Sequence, residues 1–340
     1  MTRRTLKLLL IAAVTATLAG CGGGTLVGAL IGLVGVGNVI GEVENLLEEG
    51  DDPTKSTVLL DGQPLPINPD AAGRVRLRDL PAGRHLLQVV APGGFRGAVT
   101  IINVQPNSDL RLDNLEAQVG GRVRGAVTLP DDVPACRVLV YALPGGAQLV
   151  REGQSVIALP PADTHYAAYT DGNGEYTLQA LAPGDYLITA AVAGFSTDVH
   201  VVSGLTERQS ATVRLALTDA AGPLPGTVQG SIAGEIGGGA TRSLAGASVW
   251  AELDRSYRPL VPDGVIERVQ TWSGTELRPS PWFAWEQLAT LSDAGGSYLL
   301  DLPSGTPRIV AFAYGYQPGY QDGAVNAGQT VRVDFQLPEP

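Results

Sequence analysis

A chain of 340 residues has room for two or three domains. Its formal net charge is −11, with 34 acidic side chains against 23 Lys and Arg, which argues against a nucleic-acid partner. Its 44 Gly and 24 Pro, many at turn positions, point to all-β architecture with frequent reversals rather than to packed helices.

Residues 1–20 read as a processing segment. Arg3, Arg4 and Lys7 form a charged start, and Leu8 to Leu18 is an apolar run of signal-peptide length. Leu18-Ala19-Gly20-Cys21 follows, which looks like a bacterial lipobox. The chemistry expected is lipid transfer to the Cys21 thiol and cleavage before it. The alternative is an ordinary signal peptide with a chance cysteine. Several acyl chains on one residue hold a protein to a membrane more firmly than one does. Loss of Arg3, Arg4 and Lys7 takes the formal charge from −11 to −14. Gly22, not Asp, follows Cys21, so the inner-membrane retention signal of some enteric lipoproteins is absent. The expected place is the cell envelope, lipid-anchored, at the outer membrane or cell surface rather than the inner membrane. With Cys21 acylated, Cys136 is left alone and cannot form an intrachain disulfide. It stands at a strand start in Ala135-Cys136-Arg137-Val138-Leu139 and reads as a buried small hydrophobe rather than a nucleophile.

Residues 21–55 connect this anchor to the domains. Gly22 to Gly41 carries no charge, and Gly28/Gly32 and Gly37/Gly41 are each spaced by four, as in close-packed membrane helices. Three readings stand: a flexible tether, a membrane-lying segment, or a glycine-zipper helix. The first two are favoured because glycine is a poor helix former. Val36, Val39, Ile40, Val43, Leu46 and Leu47 recur at helical spacing among Glu42, Glu44, Glu48 and Glu49, which predicts a short amphipathic helix ending at Gly50. Asp51 to Lys55 reads as linker.

Three hairpins follow, written in turn chemistry and alternation. The middle copy runs from Asp171-Gly172-Asn173-Gly174 through alternating Tyr176 and Leu178 to Leu181-Ala182-Pro183-Gly184, returns through Tyr186 and Ile188, and closes at Gly194-Phe195. The first copy is Asp70 to Gly73, Val75, Leu77, Leu80-Pro81-Ala82-Gly83 and Gly94-Phe95. The third is Asp293 to Gly296, Tyr298, Leu300, Leu302-Pro303-Ser304-Gly305 and Gly315-Tyr316. The interval from Asp to the second turn's Gly is 13, 13 and 12 residues, and such agreement marks a repeated unit.

This pattern resembles the carboxypeptidase regulatory-like domain, a transthyretin-like β-sandwich. The middle copy adds Gly121-Arg122-Val123 and Val138-Leu139-Val140, and the third adds Gly230-Ser231-Ile232 and Ala247-Ser248-Val249. The first shows no clear opening strand and has Arg74 and His85 where the family prefers aromatics. The resemblance implies tandem Greek-key sandwiches: a divergent one at 56–117, one at 118–218, a linker at 219–225, and one at 226–340. Fold at this level says little about activity.

Within the first, Arg74, Arg76 and Arg78 share one strand face. They read as a solvated face, with an acidic envelope polymer as the alternative. The third carries all four Trp and a long excursion between Trp250 and Leu291. Tyr257, Trp272, Trp282 and Trp285 in it are the candidate ligand-binding residues, since exposed aromatics stack on sugars or anchor a partner. The competing reading is a second hydrophobic cluster that pins a long loop.

Catalytic signatures are scarce. His85, His165 and His200 are the three histidines, and none sits in a zinc-ligand arrangement. No Gly-x-Ser-x-Gly elbow and no P-loop occur. Asp171-Gly172-Asn173-Gly174-Glu175 lacks the spacing of a calcium loop and reads as a turn. The expectation is a non-enzymatic lipoprotein without cofactor or bound metal, made of structural, adhesive or protein-interaction modules. Its partners would be the membrane through acylated Cys21 and an envelope protein or glycan. The alternative is a carbohydrate-binding lipoprotein that uses the Trp-rich excursion.

Overall fold

The computed structural model describes residues 35–48, 52–144, 148–152, 155–159, 166–190, 192, 195–196, 198–219, 225–252, 266–271, 274–279, 289–302 and 304–340. The leader, Cys21 and the stretch to Val34 lie outside them. Strands dominate, and they pair into three successive sandwiches of two sheets each.

The first contains β1 (Val36–Glu44), β2 (Thr57–Leu60), β3 (Gln63–Pro64), β4 (Arg74–Pro81), β5 (Gly83–Val90), β6 (Arg96–Val104), β7 (Asp109–Glu116) and β8 (Gln118–Val119). Its sheets are β4-β1-β7 and β3-β2-β5-β6-β8. The second contains β9 (Gly121–Leu129), β10 (Val133–Pro134), β11 (Leu139–Pro144), β12 (Gln148–Glu152), β13 (Ser155–Leu159), β14 (Tyr166–Tyr169), β15 (Glu175–Leu181), β16 (Gly184–Ala190), β17 (Phe195–Ser196), β18 (Asp198–Leu205), β19 (Ser210–Ala216) and β20 (Thr218–Asp219). Here β9 lies between β15 and β19, and the facing sheet is β14-β11-β16-β18. The third contains β21 (Gly226–Ile236), β22 (Ala240–Ser243), β23 (Ser248–Glu252), β24 (Ile266–Thr271), β25 (Gly274–Pro279), β26 (Ala289–Leu291), β27 (Ser297–Leu302), β28 (Arg308–Phe312), β29 (Gly319–Asp322), β30 (Thr330–Arg332) and β31 (Phe335–Leu337). Its sheets repeat the plan: β21 beside β27, β30 and β31, facing β26-β23-β28-β29.

The three expected repeats are β4–β5, β15–β16 and β27–β28, but none is a paired hairpin: β4, β15 and β27 pair with the opening strands β1, β9 and β21, while β5, β16 and β28 lie in the facing sheets, so the second turn carries the chain from one sheet to the other. Each repeat begins in the same turn. Asp70 Oδ1 accepts from the N–H groups of Ala72 and Arg74 at 2.9 and 3.0 Å. Asp171 Oδ1 accepts from Asn173 and Glu175 at 2.8 and 2.9 Å, and Asp293 Oδ1 from Gly295 and Ser297 at 2.9 and 2.8 Å. Gly73, Gly174 and Gly296 close these turns at φ +75°, +75° and +79°, where a Cβ is strained. Their carbonyls then accept from the opening strand, from Val43, Val127 and Ile232 at 3.1, 2.9 and 2.8 Å.

Two residues before those contacts stands another glycine: Gly41, Gly125 or Gly230. A Cβ on Gly125 would lie 1.5 Å from the Val213 carbonyl oxygen, and one on Gly230 would lie 1.7 Å from that of Val333. The bare backbone leaves room for Tyr176 and Tyr298, whose hydroxyls donate to those same carbonyls at 3.0 and 2.7 Å. Burial pushes both phenols well above their ordinary value, so the donor stays protonated. In the first sandwich Val75 takes the tyrosine's place opposite Gly41.

One expectation is overturned. The amphipathic helix predicted over 36–47 is the strand β1, antiparallel to β4 and parallel to β7. Its buried residues are Gly37, Val39, Gly41 and Val43, a strict alternation. Valines three and four apart fit a helix only because glycines fill the other inward positions. β1 is also the opening strand that the first repeat lacked on sequence, with Gly41-Glu42-Val43 matching Gly125-Ala126-Val127 and Gly230-Ser231-Ile232.

The sandwiches do not stand apart. Val140 and Ala142 face the second core, while Leu139, Tyr141 and Leu143 between them join Leu86 and Leu187 in a separate buried layer. Val249, Ala251, Ile309 and Ala311 face the third core, while Trp250, Val310 and Phe312 join the first. Sheets buried on both faces read as unbroken apolar runs. Residues 35–340 accordingly form one unit.

Two outcomes follow. Tyr176→Phe and Tyr298→Phe each lose about 1 kcal/mol of unfolding free energy, and Gly125→Ala loses more, since backbone must shift. Trp250→Ala lowers stability by about 3–5 kcal/mol and detaches the third sandwich's melting from the first's in calorimetry. Unaltered single-transition melting of Trp250→Ala would show that the shared layer carries no stability.

Candidate functional site

The residues named from sequence fall in different places. Tyr257, Trp272, Trp282 and Trp285 lie outside the described residues, as do Cys21 and His165. Trp250, the remaining tryptophan, is buried between the third sandwich and the first. Arg74, Arg76 and Arg78 alternate outward along β4, and Arg74 is held by Asp70 at 2.9 Å. Cys136 corrects its expectation: it is exposed rather than buried. Its Sγ lies 3.2 Å from the Gly172 carbonyl, because Ala135 takes the inward position and alternation turns Cys136 outward.

The described residues converge at a cleft where all three sandwiches meet. Leu60, Asp61, Gln63 and Leu65 come from the first, Leu139 and Tyr169 from the second, and Ser248, Trp250, Ala289 and Phe312 from the third. Its enclosed part is about the size of one water molecule. The feature that builds it is the Asp61-Gly62 turn between β2 and β3. Asp61 takes φ +53° and Gly62 φ +81°. A Cβ on Gly62 would stand 3.0 Å from the Ala167 carbonyl carbon, so the turn abuts the second sandwich's edge strand β14. Next to it, the Ser248 hydroxyl donates to Gln63 Oε1, which ties the turn to the third sandwich.

Behind the turn lies His85, 3% exposed. Its Nδ1 is 2.7 Å from Asp61 Oδ2 and its Nε2 is 2.8 Å from the Pro81 carbonyl. Asp61 Oδ1 accepts from the Leu86 N–H at 2.7 Å. Burial opposes a charge on the ring, but the Asp61 carboxylate and the two hydrogen bonds outweigh it, and the imidazole is held above its ordinary value of 6.5. An imidazole and a carboxylate in contact are the parts of a general base. Here both ring nitrogens face acceptors, and Asp61 is tied to backbone, so the pair acts as a brace. The sequence singles out His85 only as a departure from the family pattern and as a histidine outside any zinc arrangement, and does not pair it with Asp61. The signals for them were a positive-φ Asp-Gly pair between apolar runs and a histidine at an inward strand position.

The same connection differs in length among the repeats. Between β2 and β3 it is the two residues Asp61 and Gly62. Between β11 and β14 it is residues 145–165, and between β23 and β26 residues 253–288. Each long version contains a paired hairpin, β12–β13 and β24–β25. All four candidate ligand-binding residues fall in the longest.

No protein-family model matches the sequence, and no curated protein does. Solved structures that align include the TIE protein of Bacillus anthracis (12% identity, 89% of this chain, 51% of that one, TM-score 0.22). A streptococcal ancillary pilin aligns over 89% of this chain and 99% of its own (14% identity, TM-score 0.23). The minor pilin of Streptococcus agalactiae aligns over 65% and 96% (14% identity, TM-score 0.22). This chain thus spans about half the length of the Bacillus anthracis protein. At such scores the architecture rests on this chain's own strand pairing.

Because Cys136 is exposed, a maleimide labels it in the folded chain without denaturant. Labelling that appears only on unfolding would restore the buried reading.

Proposed function

We propose that the chain is a non-enzymatic lipoprotein of the cell envelope, in which three carboxypeptidase regulatory-like sandwiches form one rigid scaffold that presents two long excursions to a partner. The observation that carries this reading is the variable connection: a scaffold repeated three times changes most in length at one of its equivalent connections, from two residues to 36. Loops on a fixed scaffold are where recognition is built, and each long connection carries a hairpin of its own, β12–β13 or β24–β25. The side chains equipped for chemistry within the scaffold support it too. The Asp70, Asp171 and Asp293 carboxylates hold turns, and Tyr176, Tyr298 and His85 are engaged with backbone. Anchoring rests on the charged start, the apolar run and Leu18-Ala19-Gly20-Cys21.

A second reading makes the partner a carbohydrate. The clustering of Tyr257, Trp272, Trp282 and Trp285 in the longest excursion favours it, since ring faces stack on sugar rings.

Two experiments test these readings. Cys21→Ala moves the chain from the membrane fraction to the soluble one; retention in the membrane removes the lipid anchor. Envelope pull-down and glycan-array capture by the full chain fall at least tenfold with Trp282→Ala/Trp285→Ala. Unchanged capture by that pair excludes the aromatic site, and loss of protein capture alone favours a protein partner.

A further inference from the structure

We propose that the His85–Asp61 pair is a proton-operated pin: with His85 protonated, the Asp61-Gly62 turn holds the second and third sandwiches against the first, and loss of that proton loosens both contacts together. The geometry carries this. Two acceptors face the ring from opposite sides, Asp61 Oδ2 at 2.7 Å and the Pro81 carbonyl at 2.8 Å. A neutral imidazole has one N–H and cannot serve both; the cation has two. Once neutral, the ring leaves a lone pair against a buried carbonyl or against the carboxylate, and a buried unpaired acceptor is costly.

The pair sits where its state reaches all three sandwiches. Asp61 fixes the turn that touches Ala167 on β14. Gln63, at the turn's end, accepts from Ser248 on β23. From β5 itself, Gln88 Oε1 accepts from the Ala167 N–H at 3.4 Å. Among the described residues, Ile102 is opposite His85 on β6, Tyr169 stands on the cleft wall from the second sandwich, and the third brings Ser248 and Trp250. The Asp61 carboxylate touches the ring at 2.7 Å.

The sign follows from the raised value. Protonation of His85 is favoured in the closed form relative to an opened one with ordinary imidazole behaviour near 6.5. Its contribution is therefore complete below about pH 6.5 and is lost as pH rises through the closed-state value. Within that window the opening constant rises by up to about tenfold per pH unit.

Histidine-labelled full chain tests this directly, because only His85, His165 and His200 contribute ring signals. The expected spectrum shows one ring carrying two N–H protons at pH 7, assigned to His85 by its loss in His85→Gln. A His85 ring with a single N–H at pH 6.5 would overturn the proposal. Hydrogen exchange, corrected for the intrinsic pH dependence, reads the consequence. Protection of amides 60–63, 166–169 and 248–250 falls with the His85 titration, while that of 176–181 does not. A fall shared equally by 176–181, or none, sinks the pin. His85→Gln flattens the pH dependence at the junction; where that variant does not fold, the wild-type titration and exchange profile decide.

Discussion

Leu86, Tyr141 and Trp250 occupy outward positions on three different sheets, and water is a poor neighbour for each of them. A sandwich needs only one apolar face per sheet. Here β5, β11, β23 and β28 carry apolar side chains on both, so every sandwich owns a face that its own core cannot cover. The first meets this demand twice, through Leu86 towards Leu139, Tyr141 and Leu143, and through its own core towards Trp250, Val310 and Phe312. That need for a second cover turns three repeats into one unit, and it leaves the enclosed part of the cleft at their meeting point about the size of one water molecule.

The repeats share a device and have diverged around it. An Asp-capped turn presents a glycine carbonyl to the opening strand, and a second glycine lets a tyrosine reach across to the parallel strand. The first sandwich keeps the turn and Gly41 but has Val75 for the tyrosine. There a Cβ on Gly41 would meet only the Leu112 side chain, at 3.1 Å, rather than a carbonyl oxygen. Losing the hydroxyl relaxed the constraint on the glycine. The same sandwich has instead a buried ion pair at its short turn, where its two neighbours press on it.

How much of this was legible in the sequence depended on whether one interaction or two fixed a residue. The turns and strands of the three repeats were legible because Asp, Gly and alternation all agree locally; that their two strands enter different sheets was not, because each strand's partners are distant in sequence. β1 was not, because Gly37 and Gly41 occupy inward positions and are invisible to a pattern that counts side chains. Its register is set by β4 and by the distant β7, which no local window contains. Cys136 misled for the opposite reason: its composition suggests burial, but Ala135 beside it holds the inward position. The double-sided strands were visible as unbroken runs such as Val138 to Leu143, and what they meant required knowing which faces were already covered. The aromatic excursion remained a matter of composition throughout.

The unequal connection joins scaffold and function. In the first sandwich it is two residues long, and its backbone is pressed against Ala167 with little space for a longer loop. Clustering the sandwiches thus fixes this copy of the loop as a brace, while the other two copies are the long excursions of the second and third sandwiches. A binding surface assembled from those two would inherit its geometry from the layers that Tyr141 and Trp250 bury. Residues far from any ligand would then govern affinity through the angle between the second and third sandwiches. If the excursions acted independently of that angle, loosening the junction would leave capture unchanged; a dependence on it would make the brace at Asp61 part of recognition.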